Sequence, residues 1–311
     1  MSNLSPDNLR YTWQDNWGGF APAESFAHHG IAVMADGRVL TGLADEPTCV
    51  VLTSEGETVR RFPVPVANTH SLESSVEGGK EVIWITDNVD CQVVKVDSEG
   101  ALLARLTRDD FPIPGDVRFC PTGTSVNPVT GEIWIADGYG SSTVHCFSSQ
   151  LEHRLTLTGE YGLGHFRQPH SVFVDTRRET PRIYVADRAN DRVQVFDSDG
   201  TYLSGIAENL RKPSIFATFE RYLVIGELAA RVVVCDEEDK IIQTLGSGEA
   251  HLEKEGWPNR IGPGGEKVSP LDDIPTGEFN SPHGVCADGD GNIYVSEWLI
   301  GDRFTKLVRE S

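Results

Sequence analysis

The sequence predicts an all-β protein, a six-bladed β-propeller with four-stranded antiparallel blades around a central channel. Three observations carry this reading. A strand-like phrase recurs six times along the 311 residues, each recurrence sits among short β-rich runs separated by turn residues, and no amphipathic helical stretch lies between the runs.

The phrase is an alternating run that closes on a small residue and an acid: RVLTGL at 38–43, VIWITD at 82–87, EIWIAD at 132–137, RIYVAD at 182–187, YLVIGE at 222–227 and NIYVSE at 292–297. Five of the six end in Asp or Glu, and the first ends in Gly-Leu instead. A strand precedes each phrase (HGIAVMAD, HSLESSV, TSVNPVT, HSVFVDT, SIFATFE, HGVCADG), and a polar loop with a third β-rich run follows it, such as QVVKVDSEG or RVQVFDSDG. The DSEG and DSDG endings are turn chemistry, since Asp and Ser bond their own backbone and Gly supplies positive φ. Most units then add a fourth run, for example ALLARLT or KIIQTLGS. Four-stranded repeats of roughly 40 to 50 residues are the pattern of propeller blades, each sheet burying its faces against its neighbours.

The sixth unit reaches Ser311 without a fourth strand, so LRYTWQD near the N-terminus is expected to supply it and fasten the ring within a single domain, 1–311. One segment breaks the period. Residues 249–280 form a long insertion rich in Gly, Pro and charge, and a loop of that length reads either as a lid beside a binding site or as a passive insertion.

A net charge of −20, from 47 acidic and 27 basic residues, repels phosphate backbones and anionic lipid, which argues against nucleic-acid and membrane-surface partners. The N-terminal MSNLSPDNLRYTWQDNW lacks a basic region followed by an apolar run, so a soluble, cytoplasmic protein is expected, its oligomeric state open. The six cysteines (Cys49, Cys91, Cys120, Cys146, Cys235, Cys286) are widely spaced without a CxxC pair and are expected to be free thiols acting as small buried hydrophobes.

The first strand of each blade lines the channel, so equivalent positions at its start form a ring about one axis. Read through the six units, that position holds His29, His70, Thr124, His170, Ser214 and His283. Blades two, four and six therefore offer imidazoles from directions about 120° apart. Three neutral imidazoles with an open fourth position are the ligand set of catalytic zinc, which polarises an oxygen or acidifies a bound hydroxyl. Iron, cobalt or manganese suits the same donors. The alternative for any single His is a strand cap bonded to backbone; recurrence at alternate equivalent positions favours a metal at His70, His170 and His283. His29 shares the register but breaks the alternation, while His28, His145, His153, His165 and His251 read as ordinary surface or core residues.

The loops after the phrase should return to one channel mouth. ADGYGSS presents Tyr139 and ADRANDR presents Arg188. A phenol beside a divalent cation can serve as a general base, and a guanidinium can fork onto a substrate carboxylate. Alternatively Tyr139 packs and Arg188 pairs with Asp187 or Asp191. Asp87, Asp137 and Asp187, repeated blade by blade, read as structural.

The segments HSLES…IWITDN, PTGTSVNPVTGEIWIADGYG, FRQPHSVFVD…IYVADRANDRVQVF and SPHGVCADGDGNIYVSE resemble, in order, the blades of peptidyl-α-hydroxyglycine α-amidating lyase within the NHL-repeat propellers, over about residues 60 to 310. The resemblance implies zinc held by His70, His170 and His283, a catalytic tyrosine at Tyr139 and an active-site arginine at Arg188. It also implies a reaction in which the metal binds the α-hydroxyl of a carbinolamide, the tyrosine helps remove its proton, and the C–N bond breaks to give an amide and glyoxylate. The sequence departs from the family at three places. Ala44 stands where a second active-site arginine is expected, Gly284 replaces the Asp associated with a structural calcium, and Gly140 stands opposite Cys120 where the secreted enzymes pair two cysteines.

The reading is a metal-dependent lyase acting on a small, anionic, hydroxylated substrate. Hydrolysis of a lactone or ester by a metal-bound hydroxide is a second reading, and a non-enzymatic NHL-type protein-interaction scaffold is a third.

Overall fold

The computed structural model describes residues 9–28 and 30–310. Six four-stranded antiparallel sheets form the blades of a propeller. Their innermost strands are Ile31–Val33, Ser71–Glu77, Gly123–Val126, Pro169–Asp175, Pro213–Phe219 and Pro282–Ala287. The recurrent phrase forms the second strand of every blade, for example Lys80–Asp87, Arg182–Asp187 and Ile293–Glu297.

These second strands are buried on both faces because each sheet is covered by a neighbour on either side. Alternate residues then serve different interfaces. Ile83 and Ile85 pack with Leu40 and Val51 of blade one, while Trp84 packs with Ile133 and Phe147 of blade three. The same division repeats at Trp134 with blade four, Tyr184 with blade five and Val224 with blade six. Tyr294 and Phe304 meet Val39 and Val50 across the last interface. Each fully buried large side chain contributes about 1.5–3 kcal/mol relative to exposure, so the core is distributed over six interfaces. The outer strands, such as Thr58–Pro63 and Leu102–Leu106, are largely exposed.

Tyr11–Asp15 pairs with Phe304–Arg309 in register from Tyr11↔Arg309 to Asp15↔Thr305 and completes the sixth sheet. A sheet closed by strands from both ends of the described chain removes the open edge that would otherwise split the ring. Within 249–280 lie a four-residue helix, Glu249–Leu252, and a hairpin of Arg260–Ile261 with Lys267–Val268. No helix among the described residues is long and apolar enough to cross a membrane.

The acid ending each phrase performs one task in five blades: it accepts a backbone N–H from the segment entering the first strand. Asp87 bonds Ala67 N at 2.8 Å, Asp137 bonds Cys120 N at 2.6 Å and Asp187 bonds Arg167 N at 2.7 Å. Glu227 bonds Arg211 N, and Glu297 bonds Asn280 N at 2.6 Å and Ser281 N at 2.8 Å. In blades four to six an arginine neutralises the buried charge: Arg192 on Asp187, Arg231 on Glu227 and Arg303 on Glu297. Burial pushes the Glu227 carboxyl above the usual carboxylate range, with Arg231 and the Arg211 amide pulling the other way. Blade one has Gly42 at this position, where a Cβ would fall 1.7 Å from Thr69 Oγ1.

Glu297→Ala would strand two buried N–H groups and remove one of the two carboxylates that pair with Arg303. It is expected to cost about 3–5 kcal/mol, read as a lowered midpoint in urea denaturation; an unchanged midpoint would show that the carboxylate does not hold the blade.

Candidate functional site

Register across the first two strands fixes which residues face the axis. Ser71↔Thr86, Gly123↔Ala136, Ser171↔Ala186, Ile215↔Gly226, Gly284↔Ser296 and Ile31↔Thr41 are equivalent pairs. The ring position immediately before them is therefore His70, Thr122, His170, Ser214, His283 and Gly30. This corrects two assignments. Thr122 rather than Thr124 occupies the ring in blade three, and Gly30 rather than His29 occupies it in blade one; His29 itself lies outside the described residues. Gly30 is required there, because a Cβ would sit 2.5 Å from Leu72 N.

The Pro-His pairs owe their form to a bulge. Pro169 pairs with Asp187 and Ser171 with Ala186, leaving His170 as the extra residue, and Pro282/Gly284 leaves His283 in the same way. Proline needs no ladder partner for a missing N–H, and a bulge re-aims the unpaired side chain toward the axis.

The imidazoles of His70, His170 and His283 converge, with ring centroids 4.8–5.2 Å apart. Each is almost wholly buried. His70 Nδ1 lies 2.8 Å from Thr122 O, and His170 Nδ1 lies 2.8 Å from Ser214 O, in both cases the ring-position carbonyl of the next blade. A carbonyl only accepts, so Nδ1 carries the proton and the Nε2 lone pair is left for the axis. His70 Nε2 and both ring nitrogens of His283 are buried without a hydrogen-bond partner among the described residues. Burial, reinforced by the neighbouring imidazoles and Arg188, holds all three pKa values well below the usual histidine range. Neutral, oriented imidazoles with unsatisfied buried nitrogens fit a divalent transition metal.

His28 belongs to this cluster, contrary to its reading as an ordinary residue. Its ring lies 4.3 Å from His70 and 4.6 Å from His283, and one ligand nitrogen from each of these three lies within 4.8 Å of the others. Asn88 Nδ2 approaches its Nδ1 at 3.4 Å. Sequence register pointed to the ring position and so passed over a side chain two residues earlier that folds back over the ring. The remaining histidines lie elsewhere: His145 and His153 share Thr156, and His251 faces Glu278.

Tyr139 and Arg188 stand over the same imidazoles. Tyr139 Oη is 3.2 Å from His170 Nε2 and 3.5 Å from His28 Nε2. Arg188 Nη2 donates to Tyr139 Oη at 3.3 Å and to Gln168 Oε1 at 3.0 Å, and its guanidinium lies 5.3 Å from the phenol ring centroid. Burial raises the Tyr139 pKa, and the Arg188 charge opposes that rise. Arg188 is buried but pairs with no carboxylate among the described residues: Asp187 is taken by Arg192, and Asp191 accepts Lys212 N. A buried guanidinium in that state can receive an anion.

The space enclosed among the rings themselves is only about 10 Å³, and the channel widens beyond it to about 190 Å³ between the innermost strands; on the opposite side lies the mouth. There Trp298 lies 6.0 Å from His28, Phe26 lies 5.0 Å from Trp298, and Trp257 of the 249–280 insertion lies 6.2 Å from Trp298. Beside Ala44, Asp45 is held by the Glu24 and Ser25 amides, and that loop offers no cation to the site.

Residues 120–147 match the NHL repeat family. By sequence the chain is similar to NHL repeat-containing protein 3 of Homo sapiens, 31% identical over 58% of this chain and 56% of that protein. It is also similar to peptidylglycine alpha-amidating monooxygenase of Rattus norvegicus, 29% identical over 96% of this chain and 28% of that protein. A probable peptidyl-alpha-hydroxyglycine alpha-amidating lyase of Caenorhabditis elegans is 27% identical over 53% of this chain and 49% of that one. The chain thus spans about half, and in the rat protein about a quarter, of the length of these relatives. A solved streptogramin B lyase structure superposes with a TM-score of 0.61 at 15% identity, over 96% of this chain and 98% of that one, a likeness of fold. The protein is a six-bladed propeller with one segment that matches the NHL repeat, and it is similar in sequence to NHL-repeat and amidating proteins.

The depressed histidine pKa values predict a pH dependence for the metal-free protein. Above about pH 6.5 both folded and unfolded states carry neutral imidazoles. Below it the unfolded chain takes up protons that the folded cluster refuses, so stability falls as pH drops from 6.5 toward 5. Urea denaturation of His283→Gln in chelator should show a dependence shallower than wild type by up to about 1.4 kcal/mol per pH unit; parallel curves would contradict it.

Proposed function

We propose that this protein is a metal-dependent lyase of the amidating type, cleaving a carbinolamide-like or related hydroxylated small substrate that carries an anionic group. The observation that carries the reading is the set of neutral imidazoles facing one another, two of them with their tautomer fixed by a carbonyl, directly beneath Tyr139 and a buried Arg188 that meets no carboxylate among the described residues. The amidating relatives support it.

His70, His170 and His283 would hold the ion, zinc or another divalent transition metal, with His28 beside them. When bound, such an ion polarises a substrate hydroxyl oxygen and makes its proton easier to remove. Tyr139 Oη accepts that proton, and the adjacent Arg188 stabilises the phenolate needed to do so. Arg188 also receives the substrate's anionic group by charge-assisted hydrogen bonds. As the hydroxyl oxygen becomes a carbonyl, the C–N bond breaks with its electron pair leaving on nitrogen. A proton returned to that nitrogen gives the amide and restores Tyr139. With Ala44 in place of a second arginine, Arg188 is the principal anion contact in this reading.

The relative named for its NHL repeats supports a second reading, a protein-binding scaffold, which predicts neither bound metal nor turnover. Elemental analysis of the purified protein, with an assay for glyoxylate released from N-acyl-α-hydroxyglycines, separates the two. The lyase reading expects about one divalent ion per chain, lost in His170→Ala, and a fall in kcat of about 100-fold or more in Tyr139→Phe. A metal-free, inactive wild type would overturn it, and undiminished turnover in Tyr139→Phe would favour hydrolysis by a metal-bound hydroxide.

A further inference from the structure

We propose that Cys91 and Cys120 form a reversible dithiol–disulfide pair that controls the backbone carrying Tyr139. Their thiols converge on one acceptor: Cys120 Sγ lies 3.3 Å and Cys91 Sγ 3.9 Å from the Asn88 carbonyl oxygen. The Cys91 thiol lies close enough to Cys120 to push its pKa up. The exposed Arg118 places its guanidinium 3.5 Å from Cys120 Sγ. The other four cysteines are buried in separate places, Cys49, Cys146, Cys235 and Cys286 each in a different interblade cluster.

Position 140, the partner of Cys120 in the secreted enzymes, cannot serve here. A Cβ on Gly140 would lie 2.2 Å from Asp137 Oδ1 and 2.5 Å from Arg118 O. Cys91 reaches Cys120 from the turn after the second-blade phrase, where its φ of +54° places it in the left-handed region rarely used by a residue with a side chain.

The pair is wired to the site on both sides. Cys120 O accepts Tyr139 N at 3.2 Å, and two residues onward Thr122 O orients His70. Asn88, the shared acceptor, approaches His28 through its side chain. Burial and the neighbouring thiol push Cys120 up to about 12, which makes the half-buried Cys91 the first to react. With a low-molecular-weight disulfide as oxidant, the Cys91 thiolate attacks one sulfur and releases one small thiol. Cys120 then attacks the mixed disulfide at the Cys91 sulfur and releases the second. Two electrons pass from the protein thiols to the oxidant, and Arg118 stabilises the Cys120 thiolate as it forms.

The test treats the whole protein with oxidised glutathione, followed by non-reducing digestion and mass spectrometry. A Cys91–Cys120 linked peptide is expected, with titratable thiols falling from six to four and restored by dithiothreitol. Cys91→Ala should keep all five of its thiols. Six thiols retained, a bond joining any other pair, or a glutathione adduct that Cys120 never resolves would overturn the pairing. Hydrogen exchange of the segment containing Tyr139 should slow on oxidation of wild type and not of Cys91→Ala; equal exchange in both redox states would overturn the control of that backbone. Neither readout depends on bound metal or turnover, so failure here is distinguishable from failure of the lyase reading.

Discussion

The structure depends on a carboxylate that ends the second strand of a blade and captures the backbone entering the first. Asp87, Asp137, Asp187, Glu227 and Glu297 are all buried, and each satisfies N–H groups that no ladder could reach. The captured segment runs directly into the ring residue of the same blade. The bond that holds the blade together therefore also sets where His70, His170 and His283 begin to point.

From that anchor the cluster is built across blades. Each anchored strand presents a ring residue, and the carbonyl of the next blade's ring residue fixes the tautomer of His70 and of His170. Thr122 and Ser214, chemically silent in the sequence, thereby act as orienting groups through their backbone. Neutrality of the imidazoles follows from burial and mutual repulsion, and Arg188, which meets no carboxylate among the described residues, adds a further charge against their protonation. The same field that keeps the histidines neutral favours an anionic ligand beside Tyr139 and Arg188.

Much of this was legible in advance. The repeated β-rich phrase with its small-acid ending marked every second strand, because a strand sandwiched between two sheets must be apolar on both faces. The recurrence of histidine in alternate blades marked the axial set for the same reason of symmetry. His28 and the true ring positions in blades one and three were not legible. A register is set by hydrogen-bond pairing between strands, and neither Gly30 nor Thr122 carries a side-chain signal announcing its place. The contact of Trp257 with Trp298 likewise joins residues 41 apart through an insertion without periodicity.

The sequence by itself determined the blade count, the closing role of the N-terminal strand, the alternating histidines and the loops bearing Tyr139 and Arg188, since each is a local pattern repeated at fixed spacing. Tertiary structure alone decided which side chains share the axis, which ring nitrogen carries the proton in His70 and His170, that Arg188 meets Tyr139 and Gln168 and no carboxylate among the described residues, and that Cys91 meets Cys120. Those outcomes turn on distances of a few ångströms between different blades and loops, and such distances exist only once the ring has closed.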